Sequence, residues 1–430
     1  MRGHPQLENG GKTMSKFRHM TSAVALAALA WAGSAAADAV TDWNDIANNT
    51  VAVGRLGPIG SQDVALVQLA VHDAIQSFEH RFEPYYAEVE GAQGSKSAAV
   101  AAAAHGVLVG FYPTMASTID ATYVAWLANA GLTGNRGIAV GEAVAARYLP
   151  LRRLDPDPLP AAYTGVNAIA QWRSTESFLA GPPTTLSPMH APWMAGFNPL
   201  ALTGPARFRA PPPPELTSAQ YTRDYNEVMA KGALTGSTRT PEETDIAYFW
   251  TDNFVVQWNR AIRGVVERRV PNMGNRARLF ALANMSVADA VITSWDSKLF
   301  YNFWRPLNAI REGEFDGNPN TAGNPDWQPL INTPPYPDYT SGANNVTGAM
   351  TKSLELFFGQ DDISIQMTSN ALAAVKKTRW FPSFSAVSDQ VVKARILLGI
   401  HFRTADVEAR KQGRAVATYV HDHYLLPISN

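Results

Sequence analysis

Three cationic side chains, a hydroxyl beside a glycine and one histidine are the residues of this chain whose types and spacing could do chemistry together. They lie in three short segments of the C-terminal half, at residues 298–306, 333–350 and 394–406. Cationic side chains, hydroxyls and backbone N–H groups are the donors that bind tetrahedral oxyanions. The sequence therefore predicts a phosphate or vanadate site built from Lys298, Arg305, Ser341, Gly342, Arg395 and His401.

The first segment carries Lys298 and Arg305, seven positions apart. That spacing is almost two turns of helix, so we expect both side chains to leave from one helix face. Pro306 disfavours helical geometry at the residue before it, which predicts Arg305 at the end of the helix. The aromatic residues at 300, 301, 303 and 304 indicate burial, and a buried cation needs an anionic partner. A solvated surface pair is the alternative for these two cations taken alone.

The second segment changes from prolines at 334, 335 and 337 to small and apolar residues after Ser341. This change predicts a helix that begins at Thr340 or Ser341 and runs to Phe358. A helix N-terminus presents unpaired N–H groups, and Gly342 lets an anion approach the backbone closely. The long loop 313–340 before this helix is predicted to form a wall of the anion pocket. An ordinary N-cap is the alternative.

The third segment places His401 between two predicted helices. Gly399 is typical of a helix C-terminus and Thr404 of the N-cap of a final helix, so His401 should lie on a tight connection. Its imidazole can point into the bundle there. A core histidine is the alternative, and the presence of all three segments in one chain favours the anion site.

The pattern Lys-x6-Arg-Pro, then Ser-Gly, then Arg-x5-His resembles the vanadium-dependent haloperoxidases. It is shared by the type 2 phosphatidic acid phosphatases and bacterial acid phosphatases of the same fold. Other stretches, among them Leu69–Ile75, Phe208–Pro214 and Asp326–Pro329, are similar to the haloperoxidase-like branch. The resemblance covers roughly residues 41 to 425.

The resemblance implies a role for each residue of the set. His401 would bond to vanadium, or attack phosphorus in a phosphatase, while Lys298, Arg305 and Arg395 neutralise the equatorial oxygens with help from Ser341 and the Gly342 N–H. The implied cofactor is vanadate, or phosphate in the same site. The implied substrates are hydrogen peroxide with halide, or a phosphomonoester hydrolysed through a phosphohistidine.

The chain departs from the family pattern at Ala343, where Pro-Ser-Gly-His normally supplies an acid–base histidine. General acid–base catalysis contributes about two to four orders of magnitude in rate. Three interpretations stay open: Asn344, Asn345, His72 or a water takes over the role, the protein is a weak catalyst, or it binds an oxyanion without turnover. The aspartate usually found four residues after the ligand histidine is also displaced, to Asp406.

The family also places an acidic residue against its third anion-binding arginine. Asp245 and Asp252 are the candidates for that place in this chain.

Composition indicates which classes of protein fit. With 430 residues, 46% hydrophobic, the chain can bury a large core, and a net charge of −1 without a basic stripe gives no footprint for nucleic acid. Residues 1–37 contain a charged start, an apolar stretch and a small-residue cleavage site, which predicts an exported protein, secreted or periplasmic, with Met14 as the true start. No later segment is long and apolar enough to predict a membrane span in the mature protein.

Helical periodicity is common and strand alternation scarce, so the predicted fold is all-α, with helical bundles of the vanadium haloperoxidase and acid phosphatase type. The two halves are expected to be related four-helix bundles. Residues 1–37 are assigned to the signal segment, 38–215 to an N-terminal half with a Pro-rich connector, and 216–430 to a C-terminal half carrying the site. The predicted helices are 60–80, 96–112, 114–130, 134–149, 160–174, 217–231, 240–267, 274–300, 342–358, 362–377, 385–398 and 405–424.

Overall fold

Six α-helices of the described residues begin at a side-chain cap, at Asp38, Ser218, Thr240, Asn253, Asn272 and Ser383. The computed structural model describes residues 38–55, 57–151, 163–175 and 187–429. The signal segment and start site predicted within residues 1–37 lie outside the described residues. Helices dominate the described ranges and a single short hairpin is their one sheet, which confirms the all-α prediction.

The N-terminal region contains five helices. They are α1 (Ala39–Gly54), α2 (Gly60–Glu79), α3 (Lys96–Phe111), α4 (Ala116–Asn129) and α5 (Gly137–Tyr148). The alanines of α3 allow close packing against α5: a Cβ added at Gly141 would lie 2.2 Å from the Ala99 carbonyl oxygen. Helix α1 was not among the predicted helices, and its first turn is capped by the Asp38 side chain, which accepts from the Val40 N–H.

The C-terminal region surrounds one long buried helix, α9. Its helices are α6 (Ala219–Gly232), α7 (Pro241–Phe249), α8 (Phe254–Arg269), α9 (Met273–Tyr301), α10 (Pro306–Arg311), α11 (Gly342–Phe358), α12 (Phe384–Leu397) and α13 (Arg403–His423). Helix α9 packs against α11 and α13 on one side and against α2 on the other. The hydrophobic core therefore runs across residue 215, and the division into two halves there stays a prediction.

Three of the predicted helices are wrong. Residues 163–175 form β-bridges in place of the end of helix 160–174, because Gly165 has a φ of +90° and pairs with Arg173. Helix 240–267 is two helices, since the side chain of Asn253 caps α8 and starts it afresh. Segment 362–377 contributes strand β1 (Ile365–Thr368), which pairs antiparallel with β2 (Thr378–Phe381). Burial alternates along β1, a period of two that outweighed the helical pattern.

The described part of the Pro-rich connector, 187–215, is extended apart from short 3₁₀ turns at Pro192–Gly196 and Pro205–Phe208, which lie against α9. Within the described residues, no single helix is long and apolar enough to cross a membrane. Two consecutive helical segments, Lys96–Phe111 and Pro113–Asn129, are together long and apolar enough for a broken span, but the chain bends by 112° between them.

Candidate oxyanion site

The prediction that Lys298 and Arg305 leave from one helix face is wrong. Helix α9 ends at Tyr301 because Asn302 takes a left-handed conformation with a φ of 46°. Arg305 then stands at the N-cap of α10 in extended geometry, the conformation that the following Pro306 imposes. The two cations are brought together by this reversal of the chain. Phe303 and Trp304 are buried as expected, whereas Phe300 is 61% exposed.

The Lys298 side chain is fully buried beneath the loop that precedes α11. Its Nζ donates to the carbonyl oxygens of Pro337 at 2.7 Å and Asp338 at 3.2 Å. The ammonium also lies 4.9 Å from the centre of the Tyr336 ring. Burial and the neighbouring Arg305 lower the pKa of Lys298 well below its ordinary value. The loop thus forms one wall of the site, where the sequence predicted one.

Arg305 links this loop to the histidine. Its Nε donates to the Tyr336 carbonyl at 2.7 Å and its Nη1 to the Ile400 carbonyl at 2.6 Å. Nη1 lies 3.1 Å from Nε2 and 3.3 Å from Nδ1 of His401. Nη2 has no hydrogen-bond partner within the described residues, although Arg305 is fully buried. One charged N–H pair of this guanidinium therefore remains available for an acceptor.

Arg395 reaches the site from the last turn of α12. Its Nη1 donates to the Trp250 carbonyl at 3.3 Å, and its Nε lacks a partner among the described residues. The expectation that Asp245 or Asp252 pairs with it is wrong. Asp245 accepts from Arg379 at 2.6 Å, and Asp252 lies 3.6 Å from Arg260. These two acids hold the β-hairpin and α8, so neither accepts from Arg395, whose Nε keeps an unused donor.

Helix α11 begins at Gly342 with Ser341 as its N-cap and ends at Phe358, which confirms the predicted helix. The Ser341 Oγ does not cap the helix. It interacts with the carboxylate of Asp406 without a well-formed hydrogen bond to it. A Cβ at Gly342 would lie 3.4 Å from the Trp295 ring, so only a small residue fits comfortably there. A hydroxyl and a helix N-terminus are thus both available at this position.

His401 lies on the connection between α12 and α13, as predicted, and is 1% exposed. The final helix begins at Arg403 with Phe402 as its N-cap, so the prediction of Thr404 as the cap is wrong. Burial, followed by Arg305, Lys298 and Arg395, lowers the pKa of His401 well below its ordinary value, and only the Asp338 backbone acts in the opposite direction. The imidazole is therefore neutral near pH 7 and has a nitrogen lone pair to offer.

Two buried carboxylates complete the cluster: Asp406, which the sequence named only as the displaced acid of the family pattern, and Asp338, which it did not single out. Asp338 Oδ1 lies 2.7 Å from His401 Nδ1 and 3.6 Å from Arg305 Nη1. Asp406 Oδ1 accepts from Asn344 Nδ2 at 2.7 Å. Burial raises the pKa of Asp338 to about 7 and that of Asp406 well above its ordinary value. The only sequence signal for Asp338 was an acidic residue inside an aromatic and Pro-rich loop.

Each of the three side chains suggested as a replacement for the missing acid–base histidine makes a hydrogen bond to another part of the fold. Asn344 is bound to Asp406, and Asn345 donates to Gln412 at 2.6 Å. His72 belongs to α2, where its Nε2 contacts the Glu83 carbonyl at 3.1 Å, and burial lowers its pKa to about 4. Ala343 is half-buried in the first turn of α11.

An oxyanion fits the donors that this cluster leaves unused. Buried Nη2 of Arg305, Nε of Arg395 and Oγ of Ser341 are all without acceptors in the described residues. Buried charged donors that lack a partner carry a large desolvation cost, which the oxygens of a bound anion offset. The chemistry of the set is that of a neutral imidazole among cations and a hydroxyl.

Comparison with known proteins agrees with this geometry. Residues 278–430, which hold the whole cluster, match the family described as the VCPO second helical-bundle domain. The vanadium chloroperoxidase of Curvularia inaequalis is 28% identical over 273 residues, which are 52% of this chain and 44% of that protein. Residues 278–430 therefore belong to this family of helical-bundle domains, and the comparisons support a likeness to the vanadium haloperoxidase superfamily. The alignment thus spans less than half the length of that curated relative.

Solved structures of the superfamily share the fold. The first bacterial vanadium-dependent iodoperoxidase superposes with a TM-score of 0.73 at 23% identity, covering 93% of this chain and 98% of its own. An apo-type bacterial vanadium-dependent chloroperoxidase gives 0.69 at 17% identity, covering 86% and 94%. The superfamily fold therefore extends over nearly the whole of the chain.

Proposed function

We propose that this chain is an exported, vanadate-binding haloperoxidase-like enzyme that oxidises halide with hydrogen peroxide. The observation that carries the proposal is the buried cluster around His401, with three cations, a hydroxyl and a helix N-terminus whose donors are not used up by the protein. The superfamily relatives are vanadium-dependent enzymes by name, which supports the choice of oxyanion. Export is proposed from the sequence of residues 1–37 alone.

In this proposal His401 provides the neutral nitrogen that holds vanadium. Arg305, Arg395 and Lys298 neutralise the oxygens, and Ser341 with the Gly342 N–H donates from the start of α11. Bound vanadate supplies Lewis-acid activation of peroxide toward a halide. The walls of the site, Trp295 and Tyr336, have ring centres 5.2 Å apart and limit the entry of water.

Phosphomonoester hydrolysis is the second candidate function, since the same donors stabilise a trigonal-bipyramidal phosphoryl group and neutral His401 is a nucleophile. Anion binding without turnover is the third, and Ala343 favours it. A parallel assay with and without vanadate separates the three. We expect vanadate-dependent bromination; phosphatase turnover without bromination, or vanadate binding with neither activity, would contradict the leading proposal.

The substitution Ala343→His tests the departure directly. If this position faces the anion, a new imidazole can exchange protons there and adds a pH-dependent limb to the rate, approaching two to four orders of magnitude at best. Parent and variant would be compared across pH 4 to 9. A parent that already turns over at about 1 to 1,000 per second, with no gain in the variant, would show that another group supplies the proton.

A further inference from the structure

The start of helix α11 is not fixed by a side-chain cap of its own. Its N-cap residue, Ser341, makes no capping hydrogen bond with its side chain. The N–H of Ser341 donates to the Ala405 carbonyl at 3.1 Å, so its backbone is held on one side only by the chain that follows His401. Ser341 and Gly342 are both predicted anion donors, and their position depends on what holds this end of the helix.

The side chain of Gln412, on α13, binds the residues on either side of this pair. Its Oε1 accepts from the Thr340 hydroxyl at 2.9 Å and from Asn345 Nδ2 at 2.6 Å. Thr340 precedes the N-cap, and Asn345 ends the first turn of α11. All three residues are buried, with Gln412 4% exposed. A single carbonyl oxygen therefore joins the loop and the helix that meet at Ser341.

The amide nitrogen of Gln412 connects the same point to other parts of the fold. Nε2 donates to the carbonyl oxygen of Phe208 in the connector at 2.9 Å, to that of Thr293 on α9 at 3.2 Å, and to Ser297 Oγ at 3.0 Å. Carbonyl oxygens only accept hydrogen bonds, so these partners require the nitrogen on their side of the amide. The oxygen must then face α11.

The backbones of α11 and α13 come close together beside Gln412. A Cβ added at Gly413 would lie 2.1 Å from the Asn345 carbonyl oxygen, and one added at Gly348 would lie 2.4 Å from the Arg410 carbonyl oxygen. Backbone packed this closely transmits a displacement and does not absorb it. The start of α11 is therefore positioned against α13, the helix that begins two residues after His401.

We propose that Gln412 is a positioning residue that holds the Ser341 hydroxyl and the Gly342 N–H in place for an oxyanion bound among the cations. The inference rests on the proposed function. Gln412 is neutral, and none of its hydrogen bonds within the described residues goes to a predicted anion ligand. Its effect therefore passes through the start of α11 and not through charge, so its loss should remove the contribution of Ser341 and spare that of Arg395.

The experiment is a double-mutant cycle on the full chain, measured as the calorimetric affinity for orthovanadate and for inorganic phosphate. Gln412→Met keeps the length of the side chain and removes its five hydrogen bonds. We expect both affinities to fall about 10- to 100-fold. In a Ser341→Ala background the same substitution should cost much less, whereas in an Arg395→Ala background its cost should be unchanged within a factor of about two. Equal costs in both backgrounds, or no loss at all, overturn the proposal.

Asn259→Leu is the matched control for a general loss of stability. Asn259 is also a fully buried amide, with four hydrogen bonds that join α1, α8 and α9. Both variants should unfold at a lower urea concentration than the wild type, but only Gln412→Met should weaken anion binding. Similar weakening in both contradicts a positioning role. Should Gln412→Met fail to fold, Thr340→Val removes one of the two links to α11 and leaves the amide in place for the same cycle.

Hydrogen exchange of the anion-free protein provides a test that needs no bound anion. In Gln412→Met or Thr340→Val, peptides covering residues 340–350 should exchange faster relative to peptides from the centre of α9 than they do in the wild type. In Asn259→Leu this ratio should not change. An unchanged ratio in the first two variants overturns the role of Gln412. A wild-type protein that binds neither anion would instead overturn the proposed function, and the exchange rates would still decide whether Gln412 holds the start of α11.

Discussion

Buried polar groups in two regions of this molecule are treated in opposite ways. On α2, the carboxylate of Asp73 accepts from three consecutive backbone N–H groups, of residues 85 to 87, and from the Tyr148 hydroxyl at 2.6 Å. Around His401, the guanidinium groups of Arg305 and Arg395 and the hydroxyl of Ser341 each retain a donor that no described residue satisfies. The carboxylate of Asp73 is satisfied within the fold, and we call its surroundings the closed region. The cluster around His401 keeps donors for a bound anion, and we call it the open region.

The difference teaches how a structural polar group can be distinguished from a functional one. Asp289 on α9 follows the first pattern, since it accepts from the N–H groups of Leu200, Ala201 and Leu202 and so holds the connector. Such acids stabilise the fold because their donors would otherwise be buried without partners. In the site, by contrast, Arg305 and Arg395 each keep one donor that no acceptor in the described residues satisfies. Their removal should therefore affect binding far more than stability.

The largest expected effect is a loss of folding stability when the Asp73 carboxylate of the closed region is removed. Asp73→Ala leaves two buried donors, the Ala87 N–H and the Tyr148 hydroxyl, and two part-buried ones without an acceptor. Each buried donor left in this way costs about 1 to 3 kcal/mol. We expect the free energy of unfolding to fall by about 3 to 5 kcal/mol, measured by urea denaturation. The control is Asp389→Ala, whose side chain is 73% exposed and pairs with Arg410; it should change stability by less than about 1 kcal/mol. Similar losses in both variants would break the comparison.

The neighbouring His72 makes the closed region sensitive to pH. Burial lowers its pKa to about 4, so between pH 6.5 and 4 the unfolded chain binds a proton that the native state refuses. This group alone lowers stability by about 3 kcal/mol as the pH falls through that range. Burial raises the pKa of Asp73 to about 6, so the native state takes up this proton before the unfolded chain does. Asp73 therefore increases stability as the pH falls from 6 to 4, against the effect of His72.

The substitution His72→Gln removes the first of these terms. Relative to the wild type, the variant should gain about 3 kcal/mol in the free energy of unfolding between pH 7 and pH 4. Denaturation curves of both proteins at several pH values measure the difference. A difference that stays constant over this range would mean that His72 is not held neutral by burial.

Anion affinity is the next largest effect and belongs to the open region. Arg395→Ala removes a charge-assisted donor and should weaken vanadate or phosphate binding by about 1.5 to 3 kcal/mol. Arg403→Ala is the control, because Arg403 lies two residues beyond His401 but is paired with Glu227 at 2.5 Å. An equal loss of affinity in both would show that general basicity, and not the cluster, binds the anion.

The smallest expected effect is on the stability of the anion-free protein, and its sign distinguishes a structural cation from an anion-binding one. Arg395→Met replaces a buried cation, whose one hydrogen bond is to the Trp250 carbonyl, by an apolar side chain. Replacing a buried charge in this way is often neutral or stabilising. We expect the anion-free variant to be as stable as the wild type or about 1 kcal/mol more stable, by thermal denaturation. A loss above that size would place Arg395 with Asp73 among the structural groups.

The sequence predicted the parts of the fold whose signals are local. Helix α11 begins at Gly342, with Ser341 as its N-cap, because prolines give way to small and apolar residues. That change can be seen in the sequence without knowledge of any tertiary contact. The pattern of segment 362–377 predicts a helix because the alternation within it is short, and only the pairing of Ile365 with Phe381 makes part of it a strand. Pairing between distant residues leaves little trace in the pattern of either strand.

The site shows the same limit. Its six predicted residues were found by type and spacing, and the structure brings the cations and the histidine within reach of one another, but through a chain reversal at Asn302 and not through one helix face. Asp338 could not be assigned, because its contact with His401 joins two loops that are far apart in sequence. The roles of all these residues stay predictions until the binding and activity experiments are done.

The turn before His401 has no spare room. A Cβ added at Gly399 would lie 2.5 Å from the Gly232 carbonyl oxygen and 2.7 Å from Pro329 Cβ, and one added at Gly232 would lie 2.4 Å from Gly399 Cα. The chain just before His401 is therefore packed directly against the backbone of Gly232 and Pro329. None of the predicted anion ligands takes part in this contact. Gly232 lies on α6, a helix that carries none of the predicted anion ligands. The substitution Gly232→Ala would nevertheless displace His401, and an activity screen would not distinguish it from the loss of an active-site residue.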